Sequence, residues 1–399
     1  MTGPASARPP VVRLVATALV AGGAAVARQS GGRVVLVEGA LPGETVDAVV
    51  TSEHASYARA SVAEVLEASP DRVSPPCPNV ARGCGGCGWQ HLSVPAQRQA
   101  KLSLVTEALV RLGGVESPQV EPGPPLPTEG YRTTLRLATG PGGAGFRRYH
   151  GHDIVEVGEC LVAHPLLADL VATGGFGSAR EVTLRCGAAT GDRLALLAPS
   201  AAGAALPSSV LVVGEDELEA GRRAWIFEEI AGKRLRVSAR SFFQASPRGA
   251  EALVDVVKAA VAGAGPGALI DAYGGVGLFG ATAGDGRPVT VLERSPSSAA
   301  DARVNLPSAK VLRLDVERWR PSPAAVVVAD PPKAGLGRRG VAVLAASGAG
   351  HLVLVSCDPA SLGRDAGLLR AQGFELRSTT VVDMFPGTPH IETVSVFAR

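Results

Sequence analysis

Three residues in the last quarter of the chain could carry covalent chemistry: Asp330 in "VVVADPPKAG", Cys357 in "VLVSCDPASLGRD" and Glu392 in "HIETVSVFA". Each stands where an apolar, strand-like run gives way to polar residues. In an open α/β sheet, ligands bind at such strand ends. A cysteine there is either small core filler or a nucleophile at the mouth of a site. A second set lies in "LIDAYGGVGLFGA", where Asp271 precedes a turn holding Tyr273 and the pattern Gly275-x-Gly277-x-x-Gly280. The glycines also fit a dinucleotide fingerprint. Asp271 argues for S-adenosylmethionine instead, because a carboxylate repels a pyrophosphate and attracts an ammonium. Glu293 closes the next strand, where a carboxylate can take both ribose hydroxyls, and Asp315 ends "VLRLD" on the expected adenine side. A third set is "PPCPNVARGCGGCGWQH", with Cys77, Cys84 and Cys87. A disulfide, a zinc site and an iron–sulfur cluster all remain open for it.

A thiolate, two carboxylates and a methyl donor together suit one difficult reaction. Carbon 5 of uracil is a poor nucleophile. Addition of a thiolate at carbon 6 makes an enolate that can take a methyl group, after which a base must remove the carbon 5 proton. Asp330 could hold the base edge in register. Such a target is out of reach inside a duplex, so it must be flipped out or lie in a loop.

The elements that would position these residues are legible in outline. Residues 11–67 read as short strands between Gly and Pro turns, hence a small β-barrel. A helix is predicted over 95–114, with Leu102, Val105, Leu109 and Leu112 on one face and Gly113 as its stop. Residues 131–240 alternate like a β-rich domain. A helix is predicted from Pro247, capped by Ser246, buried through Ala250, Leu253, Val254, Val257 and Val261, and ended by Gly263. Six apolar runs then alternate with helices, the pattern of a parallel sheet covered on both faces. With the last strand reversed, Glu392 would begin at the edge where Cys357 ends.

Composition narrows the class. The chain has 399 residues, 46% hydrophobic and 19% charged, with 39 basic and 37 acidic residues for a net charge of +2. That is globular and long enough for two or three domains. Net charge alone argues for neither nucleic acid nor membrane, so any RNA contact must be a local patch, with Arg132, Arg136, Arg147 and Arg148 as candidates. The run "LVATALVAGGAAVA" imitates a signal peptide, but strand-like alternation continues at once and no secretory signal is expected. No stretch has the roughly 20 apolar residues of a membrane helix.

Taken together, "ALPGE", "SPDRVSPPCP", "CGGCGWQHL", "GFRRYHGHDIVEVGECL", "FFQAS", "DAYGGVG", "DPPKAG", "SCDPASLGRD" and "HIETV" fall in the order found in a known family. Over nearly its whole length the chain resembles the RNA uracil-5 methyltransferases, in the branch with an N-terminal TRAM domain and an iron–sulfur cluster. The resemblance implies an α/β fold with a Rossmann-like class I methyltransferase domain over 241–399. It places a TRAM-like barrel at 1–70, a central domain at 71–92 and 120–240, and a helix and linker at 93–119. It implies Cys357 as nucleophile, Glu392 as the proton-removing base, and Asp330 and Gln244 at the cofactor or the target uracil. Asp271, Tyr273, Gly275, Gly277, Glu293 and Asp315 would line the S-adenosylmethionine pocket. Cys77, Cys84, Cys87 and Cys160 would hold a [4Fe–4S] cluster, with zinc as the alternative, and Cys186 is left as a core residue. The expected partner is structured RNA, ribosomal ahead of transfer RNA, for a cytoplasmic monomer. The chain departs from the family in a first cysteine spacer of six residues rather than five, in Ser246 where asparagine is usual, and in Gly274 where cysteine is common. The rival readings are a non-catalytic iron–sulfur RNA-binding protein and, on the glycines alone, a nicotinamide dehydrogenase.

Overall fold

The computed structural model describes residues 10–141, 143–149 and 151–399. The chain divides into two compact units, one formed by 1–76, 87–104 and 386–389, the other by 77–86, 105–385 and 390–399.

The first unit is built on a closed barrel of β1 (Val11–Leu19), β2 (Ala25–Arg28), β3 (Val34–Glu38), β4 (Thr45–Glu53) and β5 (Tyr57–Glu67), in the order β1-β2-β3-β5-β4. Alternate residues point inward, and many are small: Ala16, Ala25, Ala27, Ala48, Ala58 and Ala60 fill the interior with Leu14, Val35, Val37 and Val46. Alanines suit a five-stranded barrel, whose interior is too narrow for larger side chains on every strand. The signal-like run is thus spent on β1 and β2. Below the barrel, Glu44 is fully buried and accepts from the Leu41 and Ser69 amides at 2.8 and 3.2 Å. Arg72 adds a two-pronged ion pair, Nε to Oε1 at 2.5 Å and a terminal nitrogen to Oε2 at 2.7 Å. Trp89 packs with Leu41 and Leu92, and its Nε1 donates to the Gly23 carbonyl at 2.9 Å.

The second unit holds the remaining layers. The short helix α1 (Pro78–Ala81) follows Cys77, and α2 (Val94–Arg111) runs through the predicted helix, its residues 94–104 counted with the first unit and the rest with the second. Val105 and Leu109 are buried as expected, but Leu112 is 49% exposed because the helix stops at Arg111. β6 (Val120–Pro122) leads to the central sheet. That sheet contains β7 (Thr134–Gly140), β8 (Gly143–Arg147) and β9 (Ile154–Glu156). After α3 (Pro165–Thr173) and β10 (Gly175–Phe176) it continues with β11 (Glu181–Cys186) and β12 (Arg193–Ala198). Past β13 (Ala204–Ala205) it ends with β14 (Leu211–Gly214), in the order β14-β12-β11-β7-β8-β9. Cys186 lies in its core, as read. After α4 (Glu215–Glu219), a hairpin of β15 (Trp225–Ile230) and β16 (Lys233–Ser238) leads into the last layer.

There α5 (Pro247–Ala262) starts where predicted: the Ser246 side chain accepts from the Gly249 amide, and Gly263 is the C-cap. All five predicted core residues of this helix are buried. The unit then alternates β17 (Leu269–Ala272), α6 (Leu278–Ala283), β18 (Val289–Glu293), α7 (Pro296–Asn305), β19 (Lys310–Arg313), β20 (Val326–Ala329), α8 (Gly337–Ala345), β21 (His351–Ser356), α9 (Pro359–Arg370), β22 (Glu375–Val382) and β23 (Glu392–Ala398). The sheet order is β19-β18-β17-β20-β21-β23-β22-β6. β17 to β21 are parallel, and β23 runs antiparallel between β21 and β22. The chain leaves β17 in one direction to β18 and β19, then returns to its other side with β20. This reversal places a crevice at the carboxyl ends of β17 and β20. No helix among the described residues is long and apolar enough to cross a membrane.

Truncating Glu44 leaves Arg72 and two amides without their buried acceptor. Glu44→Ala is expected to destabilise the unit holding the barrel by about 3 kcal/mol, read as a lowered denaturation midpoint of the whole chain.

Candidate active site

The crevice is a cavity of about 640 Å³, ample for a nucleoside-sized ligand. Its wall includes Gln244, Tyr273, Gly275, Glu293, Asp315, Asp330, Cys357 and Glu392. Residues as far apart in sequence as Gln244 and Glu392 therefore share one space. Two sequence-predicted cofactor residues, Asp271 and Gly277, are not on that wall. Asp271 is fully buried behind the glycine turn, and its Oδ2 accepts from the Gly280 amide at 2.8 Å at the start of α6. Its Oδ1 has no hydrogen-bond partner. The carboxylate braces the turn from beneath rather than facing the cavity.

The turn owes its shape to unusual backbone. Tyr273 holds φ +57°, and Gly277 holds φ +89°, where an added Cβ would lie 2.2 Å from Leu306. Tyr273 keeps this costly conformation with its hydroxyl donating to Glu317 Oε1 at 2.8 Å. Gly274 is tightly packed: an added Cβ would sit 2.8 Å from Val291 and from Asp271. Glu293 bends back onto the same turn, accepting from the Gly275 amide at 2.9 Å and from the Ser295 amide at 2.5 Å. Each of its oxygens retains a lone pair for a ribose hydroxyl.

The nearness of Cys357 and Glu392 comes from strand register. Ser356, the last residue of β21, pairs with Thr393 of β23. Cys357 and Glu392 are the next residues on the two strands, so both reach the same rim. Gln244 Nε2 donates to Asp330 Oδ2 at 3.4 Å, tying the loop before α5 to the end of β20. Burial dominates the electrostatics. It raises Asp330 to about 7, with Asp271 adding to the shift, and Glu392 to about 8, with Asp330 adding to it. Burial also pushes the Cys357 thiol up to about 11, reinforced by Glu392, Asp330 and Asp358. Buried acidic groups set close together hold their protons, and added positive charge beside them favours their release.

Sequence reading passed over Lys333, Glu317 and Phe242, which also line the cavity. Lys333 sits inside the quoted "DPPKAG" and Phe242 inside "FFQAS", so proximity to those motifs was the available signal. Phe242 is 62% exposed, unusual for its type.

The cysteines form no disulfide. Cys77, Cys84 and Cys160 lie near enough for charge on the first two to raise Cys160, after burial as the main cause. Amides of Val162 and Ala163 donate to Cys160, and that of Gly86 to Cys84. As the side chains stand, no group of three or more Cys, His, Asp or Glu among the described residues is disposed to hold a metal ion. The donor chemistry, thiols met by backbone N–H groups, nonetheless suits a thiolate-bound centre.

The glycine turn, the strand-end acids and a cavity at the sheet's reversal define an S-adenosylmethionine-dependent methyltransferase fold. The crystal structure of the Pyrococcus abyssi tRNA (uracil-54, C5)-methyltransferase in complex with S-adenosyl-L-homocysteine shares this fold. It aligns with a TM-score of 0.74 at 24% identity, over 97% of this chain and 100% of that one. The TRAM domain model matches residues 17–63, within the barrel. An uncharacterized RNA methyltransferase of Streptomyces avermitilis is 36% identical, over 94% of this chain and 95% of its own. Another, from Gloeobacter violaceus, is 32% identical, over 96% and 95%. The chain belongs to this family of RNA methyltransferases.

Three carboxyls whose folded pKa values lie well above their unfolded ones give stability that is complete below about pH 4 and is lost as pH rises toward 8. The ligand-free chain is expected to lose thermal stability from pH 5 to 8, and Asp330→Asn to flatten that slope, measured by melting across pH.

Proposed function

We propose that this chain transfers a methyl group from S-adenosylmethionine to carbon 5 of a uridine in structured RNA, ribosomal RNA ahead of transfer RNA, through a covalent cysteine–uracil intermediate. The observation that carries the reading is the joint presence of Cys357, Glu392 and Asp330 on the wall of one cavity in a methyltransferase fold. The Pyrococcus protein, a tRNA (uracil-54, C5)-methyltransferase, supports carbon 5 of a uracil as the target, though its own substrate is a transfer RNA.

When bound, S-adenosylmethionine supplies the methyl group and a positive charge. That charge favours the thiolate of Cys357 against its three acidic neighbours. The sulfur adds to carbon 6 of the flipped uracil, and the electron pair moves to the carbon 5 enolate, which takes the methyl group. Asp330 holds the hydrogen-bonding edge of the uracil in register, steadied by the Gln244 side-chain amide that donates to it. Glu392, with an affinity for protons near neutrality, removes the carbon 5 proton, and the carbon–sulfur bond breaks to free Cys357. Glu293 and Asp315 face the nucleoside part of the donor, and Asp271 supports the turn between them.

Cys77, Cys84, Cys87 and Cys160 are read as the ligands of a [4Fe–4S] cluster, zinc being the runner-up. The N–H donors around Cys84 and Cys160 support that reading. The role assigned to the cluster is to shape the RNA-binding domain rather than to move electrons, since methyl transfer has no net redox change. The protein is read as a cytoplasmic monomer.

Cys357→Ala is expected to abolish 5-methyluridine formation in unmodified ribosomal and transfer RNA transcripts, and full turnover would refute the nucleophile. Glu392→Gln is expected to trap a protein–RNA adduct that survives a denaturing gel; with no adduct, the base assignment falls. Protein purified without oxygen is expected to carry iron and sulfide in equal amounts with a broad visible absorption, whereas zinc alone would reassign the cysteine quartet.

A further inference from the structure

A second cavity, sharing no lining residue with the first, opens on the solvent face of the central sheet. Building on the RNA methyltransferase reading, we propose that this groove binds one unpaired nucleotide of the substrate RNA, its phosphate held by Arg136 and its sugar and base lying along the groove. The volume, about 360 Å³, suits a single nucleotide and excludes a duplex.

The groove follows from strand register. On β7, Arg136 and Ala138 share the outward face, and they stand opposite Thr183 and Glu181 of β11. Ala138 keeps the floor low beside Arg136, while Thr183 offers a hydroxyl. Arg147, the last residue of β8, stands on the far side. At one end the wall is glycine backbone, because Gly85 and Gly86 cross the end of β8, where the Gly85 amide donates to the Arg147 carbonyl at 3.1 Å. An added Cβ on Gly85 would meet that carbonyl at 2.7 Å, so only glycine allows this approach and leaves the rim open.

Charge identifies the occupant. Arg136 is exposed and has no ion pair among the described residues. Arg185, next on the same face of β11, is 5% exposed. One of its terminal nitrogens donates to the Ser238 carbonyl at 3.0 Å, while its buried Nε has no partner. Burial, then the charge of Arg136, pulls the Arg185 guanidinium down to about 10. Like charges side by side on one sheet face cost stability unless an anion joins them. Glu181, the sole carboxylate lining the groove among the described residues, lies 3.4 Å from Arg147, with both side chains at least half exposed. It therefore offsets Arg147 weakly and leaves Arg136 uncompensated. An RNA phosphate supplies the missing charge, and arginine is the side chain shaped to hold it.

The test uses the full chain and unmodified ribosomal and transfer RNA transcripts, with affinity measured across salt concentrations. Arg136→Ala is expected to weaken RNA binding roughly tenfold and to lower the salt slope by about one. KM for RNA should rise while kcat and S-adenosylmethionine affinity hold, and Arg136→Lys should restore the slope. Glu181→Gln is expected to bind RNA more tightly, a gain that misfolding cannot produce. Wild-type affinity and slope in Arg136→Ala, with no tightening in Glu181→Gln, would overturn the groove while methylation stands. A wild-type chain that binds S-adenosylmethionine but no RNA would overturn the functional reading and the groove with it.

Discussion

The antiparallel seat of β23 between β21 and β22 is the constraint on which the site depends. In a wholly parallel sheet the beginning of the last strand would lie at the edge opposite the ligand. Reversal brings Glu392 to the edge where Cys357 emerges, and the pairing of Ser356 with Thr393 fixes their offset. A slip of one residue would turn Glu392 to the other face of the sheet. The flanking positions resist such a slip, because Val353, Leu354, Val355, Val394 and Phe397 are fully buried.

Given that seat, electrostatics follow from burial. Asp271, Asp330 and Glu392 stand buried in or beside the cavity, where burial and the charge of a neighbouring carboxyl raise each of them. The protein tolerates this because protonation removes most of the cost near neutral pH. The same arrangement makes the cavity most receptive to a ligand carrying positive charge. Stability is thereby traded for a site poised to exchange protons, as is usual where strained backbone such as that of Tyr273 also appears.

The arginines of the second unit differ in kind. Arg132 is half-buried, its guanidinium 5.6 Å from the centroid of the Phe385 ring. Arg136 is exposed on the sheet face, with no ion pair among the described residues. Four arginines looked alike as a patch in the sequence, and only pairing partners separate them. A near-neutral chain can still bind a polyanion if its positive charge is left uncompensated at one place.

Local signals were strong enough to be read directly. The Ser246 cap, Pro247 start and Gly263 stop of α5 are encoded by neighbours in the chain, and its buried stripe follows from helical period alone. The barrel and the parallel strands likewise follow from alternating or continuous apolar runs. Motif order brought Cys357, Asp330 and Glu392 under suspicion together. What the chain alone did not disclose is direction and depth. Asp271 ends a strand as expected, yet it faces the glycine turn and not the cavity, because the tight turn brings the Gly280 amide onto it. Leu112 has the spacing of a core residue but is exposed, because helix α2 ends one residue earlier. Lys333, Glu317 and the groove at Arg136 depend on which strands become neighbours. Periodicity is a property of residues a few positions apart, whereas a cavity is made by residues far apart in sequence, so tertiary structure alone decided it.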